Sequence, residues 1–178
     1  MALVVFMRGV NVGGHRTFRP AALAKELAAF DVVNVGAAGT FVIRKTIGQR
    51  ALRAELLRRL PFQAELMICR GRDLIDLTCG ETFPDEPSHK DARRFVSVLA
   101  KRPRALPRLP ISQPAGDKWQ VKIVGVFGRF ALSLWRRQGQ TLVYPNEVVE
   151  KNLGVSATTR NWDTICAICE ILKGSYST

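Results

Sequence analysis

The chain has 178 residues, 47% of them hydrophobic, and its 27 Lys and Arg exceed its 15 Asp and Glu to leave a formal charge of +12. That length suits one domain or two small ones with a real core, and no run approaches the roughly 18 apolar residues of a membrane span, so no membrane partner is expected. The opening "MALVVFMRGV" is too short and lacks the basic leader of a secretory signal. With Cys69, Cys79, Cys166 and Cys169 on a chain of ordinary core content, the expectation is a cytoplasmic protein with reduced thiols.

In chain order, "ALVVFMRG" reads as a strand, short, β-branched and closed by Gly9. Pro20 fits the first position of a helix whose apolar stripe is Ala22, Leu23, Leu27, Ala28 and Phe30. Val32 to Val35 and Thr40 to Arg44 are two strands joined through "GAAG". "QRALRAELLRRLPF" is a second helix, with Leu52, Leu56, Leu57 and Leu60 on one face and Pro61 as its stop. "AELMICR" is a fourth strand. The order β-α-β-β-α-β is the split βαβ pattern of the ferredoxin-like fold.

A short helix from about Arg72 to Cys79 leads into "GETFPDEPSHKD", an acidic, Pro-containing linker. "RRFVSVLAK" is a strand, and "RPRALPRLPISQP" is too rigid and donor-poor for regular structure. "KWQVKIVGVFGRFALSLWRR" is a hairpin around Gly128, with Trp119, Val121 and Ile123 alternating with Gln120 and Lys122. Helices follow near Asn146 to Leu153 and Trp162 to Lys173. The fold class is therefore α+β: two ferredoxin-like (split βαβ) halves with mainly antiparallel sheets. The expected domains are residues 1–80, a linker 81–91, and a second half 92–178 that carries the C-terminal helices.

Charge is concentrated. From Lys90 to Arg137 there are twelve Lys and Arg against Asp91 and Asp117, a net of +10. If Arg93, Arg94, Arg102, Arg104, Arg136 and Arg137 share a face, that face attracts polyanions. An arginine-rich proteome produces the same excess with no partner at all.

Two stretches could hold a ligand. "RGVNVGGHR" places glycines directly after a strand, where backbone N–H groups can converge on an anion, with Arg8, His15, Arg16 and Arg19 to add charge-assisted hydrogen bonds. Its G-x-x-x-G-G spacing is neither a dinucleotide nor a P-loop pattern, and a structural turn is the better reading of it. "SATTRNWDT" is helix-start chemistry, with Trp162 to pack or stack and Arg160 available to an anion; a capped C-terminal helix anchored by a buried Trp is the stronger reading. The candidate anion or ligand residues are Arg8, Asn11, Gly13, Gly14, Arg16, Arg160, Asn161 and Trp162.

Other chemistry is poorly supported. Cys166 and Cys169 sit in the apolar run "TICAICEIL", which reads as core rather than a redox pair or a zinc site. His15 and His89 fall in separate loops, so no metal is expected, and no cofactor motif appears. Asp73 and Asp76 read as a solvated helix face. Phe6 and Phe41 could stack bases on a sheet, but the glycine-aromatic signature of an RNA-recognition sheet is absent and both read as core.

"RGVNVGG" after the first strand, "LVYPN" at Leu142 to Asn146, and "TTRNWDT" near the C-terminus together resemble the bacterial family called domain of unknown function 1697 (DUF1697). The resemblance runs through nearly the whole chain. It implies an α+β fold of two ferredoxin-like halves, a cytoplasmic location and no established activity. The positions carried over are Arg8, Gly9, Asn11, Gly13 and Gly14, then Thr158, Arg160, Asn161, Trp162 and Thr164. Two places depart from the pattern: "AAGT" at Ala37 to Thr40 stands where the family carries Ser-Gly-Asn, and Glu147 stands where a glycine follows Tyr-Pro-Asn.

The expected role is a non-catalytic module that binds nucleic acid or a small anionic ligand. The alternatives are an enzyme or sensor for a small phosphorylated or carboxylated ligand, and a structural or oligomerisation protein.

Overall fold

The computed structural model describes residues 1–10, 18–80, 82–83, 92–138 and 142–174. The chain divides in space into unit 1, Met1–Cys79 with Cys166–Thr178, and unit 2, Gly80–Ile165. Each holds one antiparallel sheet, of four and five strands, and the mixed α+β class expected from the pattern is the class observed.

Unit 1 runs β1 (Leu3–Arg8), α1 (Pro20–Glu26), β2 (Val32–Asn34), β3 (Thr40–Ile43), α2 (Gln49–Arg59), β4 (Glu65–Arg70) and α3 (Gly71–Thr78), with a 3-10 turn at Ala28–Phe30. The sheet order is β2-β3-β1-β4, every pair antiparallel, which is compatible with the ferredoxin-like arrangement. β1 is apolar from Leu3 to Met7, where both of its faces are buried. Leu3, Val5 and Met7 join Phe41, Ile43, Leu66 and Ile68 against Leu23 and Leu27 of the first helical segment and Leu52 and Leu56 of α2. Phe41 lies in that core, and Phe6, on the opposite face of β1, is fully buried, so neither is open to a base.

Unit 2 runs β5 (Arg93–Leu99), β6 (Ile111–Gln113), β7 (Val121–Phe127), β8 (Phe130–Trp135), α4 (Pro145–Leu153) and β9 (Ala157–Asn161), in the order β6-β7-β8-β5-β9. Leu99, Val121, Ile123, Ala131 and Ala157 pack against Val148, Val149 and Leu153 of α4. The helix starts at Pro145 and ends at Gly154, whose φ of 62° is left-handed and releases the chain toward β9. Helix α5 (Trp162–Gly174) then crosses the boundary between the two units.

Two sequence expectations need correcting. "ATTRN", read as helix-start chemistry, is strand β9, paired with β5, while the helix begins at Trp162 as expected; β9 is an edge strand with one neighbour. Within the Pro-rich passage, Ile111–Gln113 forms strand β6, because these three residues between Pro110 and Pro114 retain their N–H groups and pair with β7 at the sheet edge. Cys166–Thr178 groups by its contacts with unit 1. There the Cys169 thiol donates to the Leu74 carbonyl, and Leu172 covers Gly71 so closely that a Cβ there would lie 2.6 Å from Leu172 Cδ2.

Candidate functional site

The first motif begins at the end of β1. Arg8 stands opposite Glu65 in the sheet register, and the two side chains form an ion pair at 3.5 Å. Both are about two-fifths exposed, so the pair contributes only about 0–1 kcal/mol. Gly9 takes φ +66°, which turns the chain, and Val10 is buried. Against this strand end lies the "GAAG" turn. Met7 N donates to Gly39 O at 2.9 Å, and a Cβ on Gly39 would lie 2.8 Å from Val10 Cγ2. The close approach and the left-handed φ of 67° both require glycine at 39. Asn11, Gly13, Gly14, His15 and Arg16 lie outside the described residues.

The second motif straddles β9 and the start of α5. Ser97, on the central strand β5, donates to Thr159 Oγ1 at 2.6 Å, and Thr159 donates onward to Asn146 Oδ1 at 2.9 Å. This relay ties "TTRNW" to the "LVYPN" stretch, a link for which sequence spacing carries no signal. Arg160 is buried. Its Nη1 donates to Thr158 Oγ1 and to Thr159 O, and burial lowers its pKa to about 10. Asn161 Oδ1 accepts the Thr164 backbone N–H at 2.9 Å and the Thr164 hydroxyl, which makes it the N-cap of α5. Trp162 meets Phe83 edge-on at 5.1 Å, and Arg94 lies over the same Phe83 ring. Of the eight candidate residues, Arg8 belongs to unit 1, and Arg160 and Asn161 belong to unit 2 with Trp162 beside them.

The basic segment does not form one face. Arg93 and Arg94 open β5 and Leu99 closes it, so these arginines and the segment after Leu99 are separated by the length of a seven-residue strand, ~20 Å at about 3.3 Å per residue. Arg136 is not a surface group. It is 7% exposed, its Nε donates to Trp119 O at 2.8 Å, its Nη2 donates to Asp117 O, and its guanidinium stacks on the Trp119 ring at 4.1 Å. The adjacent Arg137 is exposed. Charge counting cannot separate two adjacent arginines that differ in this way.

What gathers beyond Leu99 is a cationic end of the unit 2 sheet. Lys101, Arg102, Arg104 and Arg108 are all exposed, and among the described residues none of the four is in an ion pair. Residues 92–138 contain a single acid, Asp117. Reciprocal bonds from Leu99 N to Arg129 O and from Arg129 Nε to Leu99 O fix this segment beside the β7–β8 hairpin. The Arg102 guanidinium lies over the hairpin's Gly128, where a Cβ would be 3.9 Å from its Nε and Nη2. Next to Gly128, Phe127 is 55% exposed.

Phe127 was not singled out from the sequence, and the reason is local. Strict alternation from Val121 and Ile123 would put residue 127 on the face that α4 covers. A register shift between Ile123 and Gly125 reverses the parity, so Val126 packs toward that core and Phe127 turns away from it. The ring leans over Gly125, where a Cβ would lie 2.9 Å from Phe127 Cε2.

The family described as "Protein of unknown function (DUF1697)" matches residues 1–127. Among solved structures, the chain is similar to the conserved bacterial protein SP0830 from Streptococcus pneumoniae, at 20% identity and a TM-score of 0.56, over 96% of this chain and 98% of that one. That likeness is one of fold. No curated protein matches.

Proposed function

This chain belongs to the DUF1697 family, and we propose that it is a non-catalytic module that binds single-stranded nucleic acid through the hairpin end of unit 2. The observation that carries the reading is the juxtaposition of an exposed aromatic, Phe127, with the guanidinium of Arg102 over Gly128, flanked by Lys101 and Arg104. Single strands are held by this combination: cations follow the phosphates, and a ring offers its face to a base whatever the sequence. Prolines 103, 107 and 110 stiffen the cationic segment, so little conformational freedom is left to lose on binding.

A small anionic ligand at Arg8 and Arg160 is less well supported. Arg8 already faces Glu65, and Arg160 is buried against Thr158 and Thr159.

The test is binding to mixed-sequence single-stranded RNA and DNA across a salt series. Each phosphate contact contributes roughly −0.7 to the slope of log K against log salt for a single strand. Replacing Lys101, Arg102 and Arg104 together by Ala should therefore flatten the slope by about 2. Phe127→Ala should weaken binding by roughly 1–3 kcal/mol and leave the slope unchanged. Absence of binding by wild type at low salt would remove the proposal.

A further inference from the structure

Helices α3 and α5 of unit 1 run antiparallel, and their contacts define a register. Gly71 meets Leu172, and Leu74 O accepts from the Cys169 thiol at 3.6 Å. One turn further along α3, the Thr78 hydroxyl reaches Cys169 Sγ at 3.5 Å. Each step of three residues forward on α3 corresponds to three residues backward on α5. Continued by one more step, that register brings Leu77, two residues before the capping residue Cys79 at the C-terminal end of α3, level with Cys166. Cys166, Cys169 and Leu172 are spaced by three along α5 and so lie along one side of the helix, the side whose Cys169 and Leu172 meet α3.

The thiols differ in access. Cys79 is exposed, Cys166 half-buried and Cys169 buried; all four cysteines of the chain are unbridged. Burial pushes the Cys169 thiol up, with smaller contributions from Cys166 and Cys79, so Cys169 stays protonated where ordinary thiols begin to ionise. Of the two cysteines expected in the core, Cys169 is buried and Cys166 only half-buried.

Cys79 and Cys166 bound unit 2 along the sequence. The chain leaves unit 1 after Cys79 and returns to it at Cys166, with all of unit 2 in between. We propose that Cys79 and Cys166 form a disulfide on exposure to a low-molecular-weight disulfide oxidant, closing the exit and return of the chain with a covalent staple. The Cys79 thiolate attacks one sulfur of the oxidant, forming a mixed disulfide and expelling one small thiolate. The Cys166 thiolate then attacks the Cys79 sulfur and expels the second. Two protons leave the protein, the thiols are oxidised by two electrons, and the oxidant is reduced to two thiols. Because the closed loop contains the whole of unit 2, the staple removes a large amount of chain freedom from the unfolded state.

The experiment uses the full chain and oxidised glutathione, with peptide mapping under non-reducing conditions and thermal unfolding before and after. The expected result is an intramolecular Cys79–Cys166 peptide, two hydrogen atoms lighter than its reduced parts. A rise in the thermal midpoint of roughly 5–15 °C, reversed by a reductant, should accompany it. Cys79→Ser, a change at an exposed position, should abolish both the crosslink and the rise. Cys166→Ser should leave glutathione trapped on Cys79. A Cys79–Cys169 link, links between chains only, or a persistent mixed disulfide on Cys79 in wild type would each overturn the proposal.

Discussion

The two sheets share a strand order and differ in how they cross over. In unit 1 the order is β2-β3-β1-β4, and in unit 2, leaving β6 aside, it is β7-β8-β5-β9: in each, the third strand of the four is central beside the first, with the second and fourth outermost. Both place a helix, α2 or α4, between the third and fourth strands. Between the first and second strands unit 1 has α1, built from the helix-forming "PAALAKE". Unit 2 has residues 100–114, in which Pro103, Pro107, Pro110 and Pro114 recur every three or four residues. Each proline inside a helix costs about 3 kcal/mol, so no helix can form there, and the passage runs as an irregular, bent chain into the edge strand β6. The pairing order thus survives the loss of a crossover helix. The cost is one layer of apolar cover, and what stands in its place is an exposed row of cations.

The largest expected effect tests that difference directly. Ala24→Pro in α1 should cost about 3 kcal/mol or more, by removing a helix hydrogen bond and clashing with the carbonyl four residues earlier. Pro107→Ala in the corresponding crossover should change stability by less than about 1 kcal/mol. Urea unfolding of both variants measures the contrast, and equal losses would mean that the unit 2 crossover is as conformationally demanding as a helix.

A second comparison lies within unit 2, between adjacent arginines. Arg136→Met removes the donor to the Trp119 and Asp117 carbonyls and should cost about 2–3 kcal/mol. Arg137→Ala, at an exposed site, should stay within about 0.5 kcal/mol. Similar values for the two would show that Arg136 does not brace the hairpin's base. The smallest effect concerns α5, which has a side-chain cap where α1 and α2 have none. Asn161→Ala should lower stability by about 1 kcal/mol, read as a shift in denaturant midpoint at unchanged slope. A neutral result would mean that the Thr164 N–H finds another acceptor.

Much of the architecture was legible before any coordinates. The β-branched run of β1, Pro20 at the start of α1, the leucine spacing of α2 and the turn at Gly128 each follow from backbone sterics and side-chain period, which act within a few residues. Strand β9 was read only as a helix start, because Thr, Arg and Asn favour a strand there only once the edge of β5 is available to pair with. The anion-site residues were chosen by chemical type, and type does not say which guanidinium will be buried: Arg160 and Arg136 lie inside, while Arg102 and Arg137 lie outside.

By itself, the sequence determined the family, the α+β class, the order of the first six elements and the basic character of the second half. Tertiary structure decided the rest. It grouped α5 from Cys166 onward with unit 1, divided the arginines between core and surface, and turned Phe127 outward through one extra residue in β7. The physical reason is range. Propensity and periodicity are local properties of the chain, whereas burial of a charge and strand register depend on which surfaces come together, and many sequence patterns are consistent with more than one such meeting.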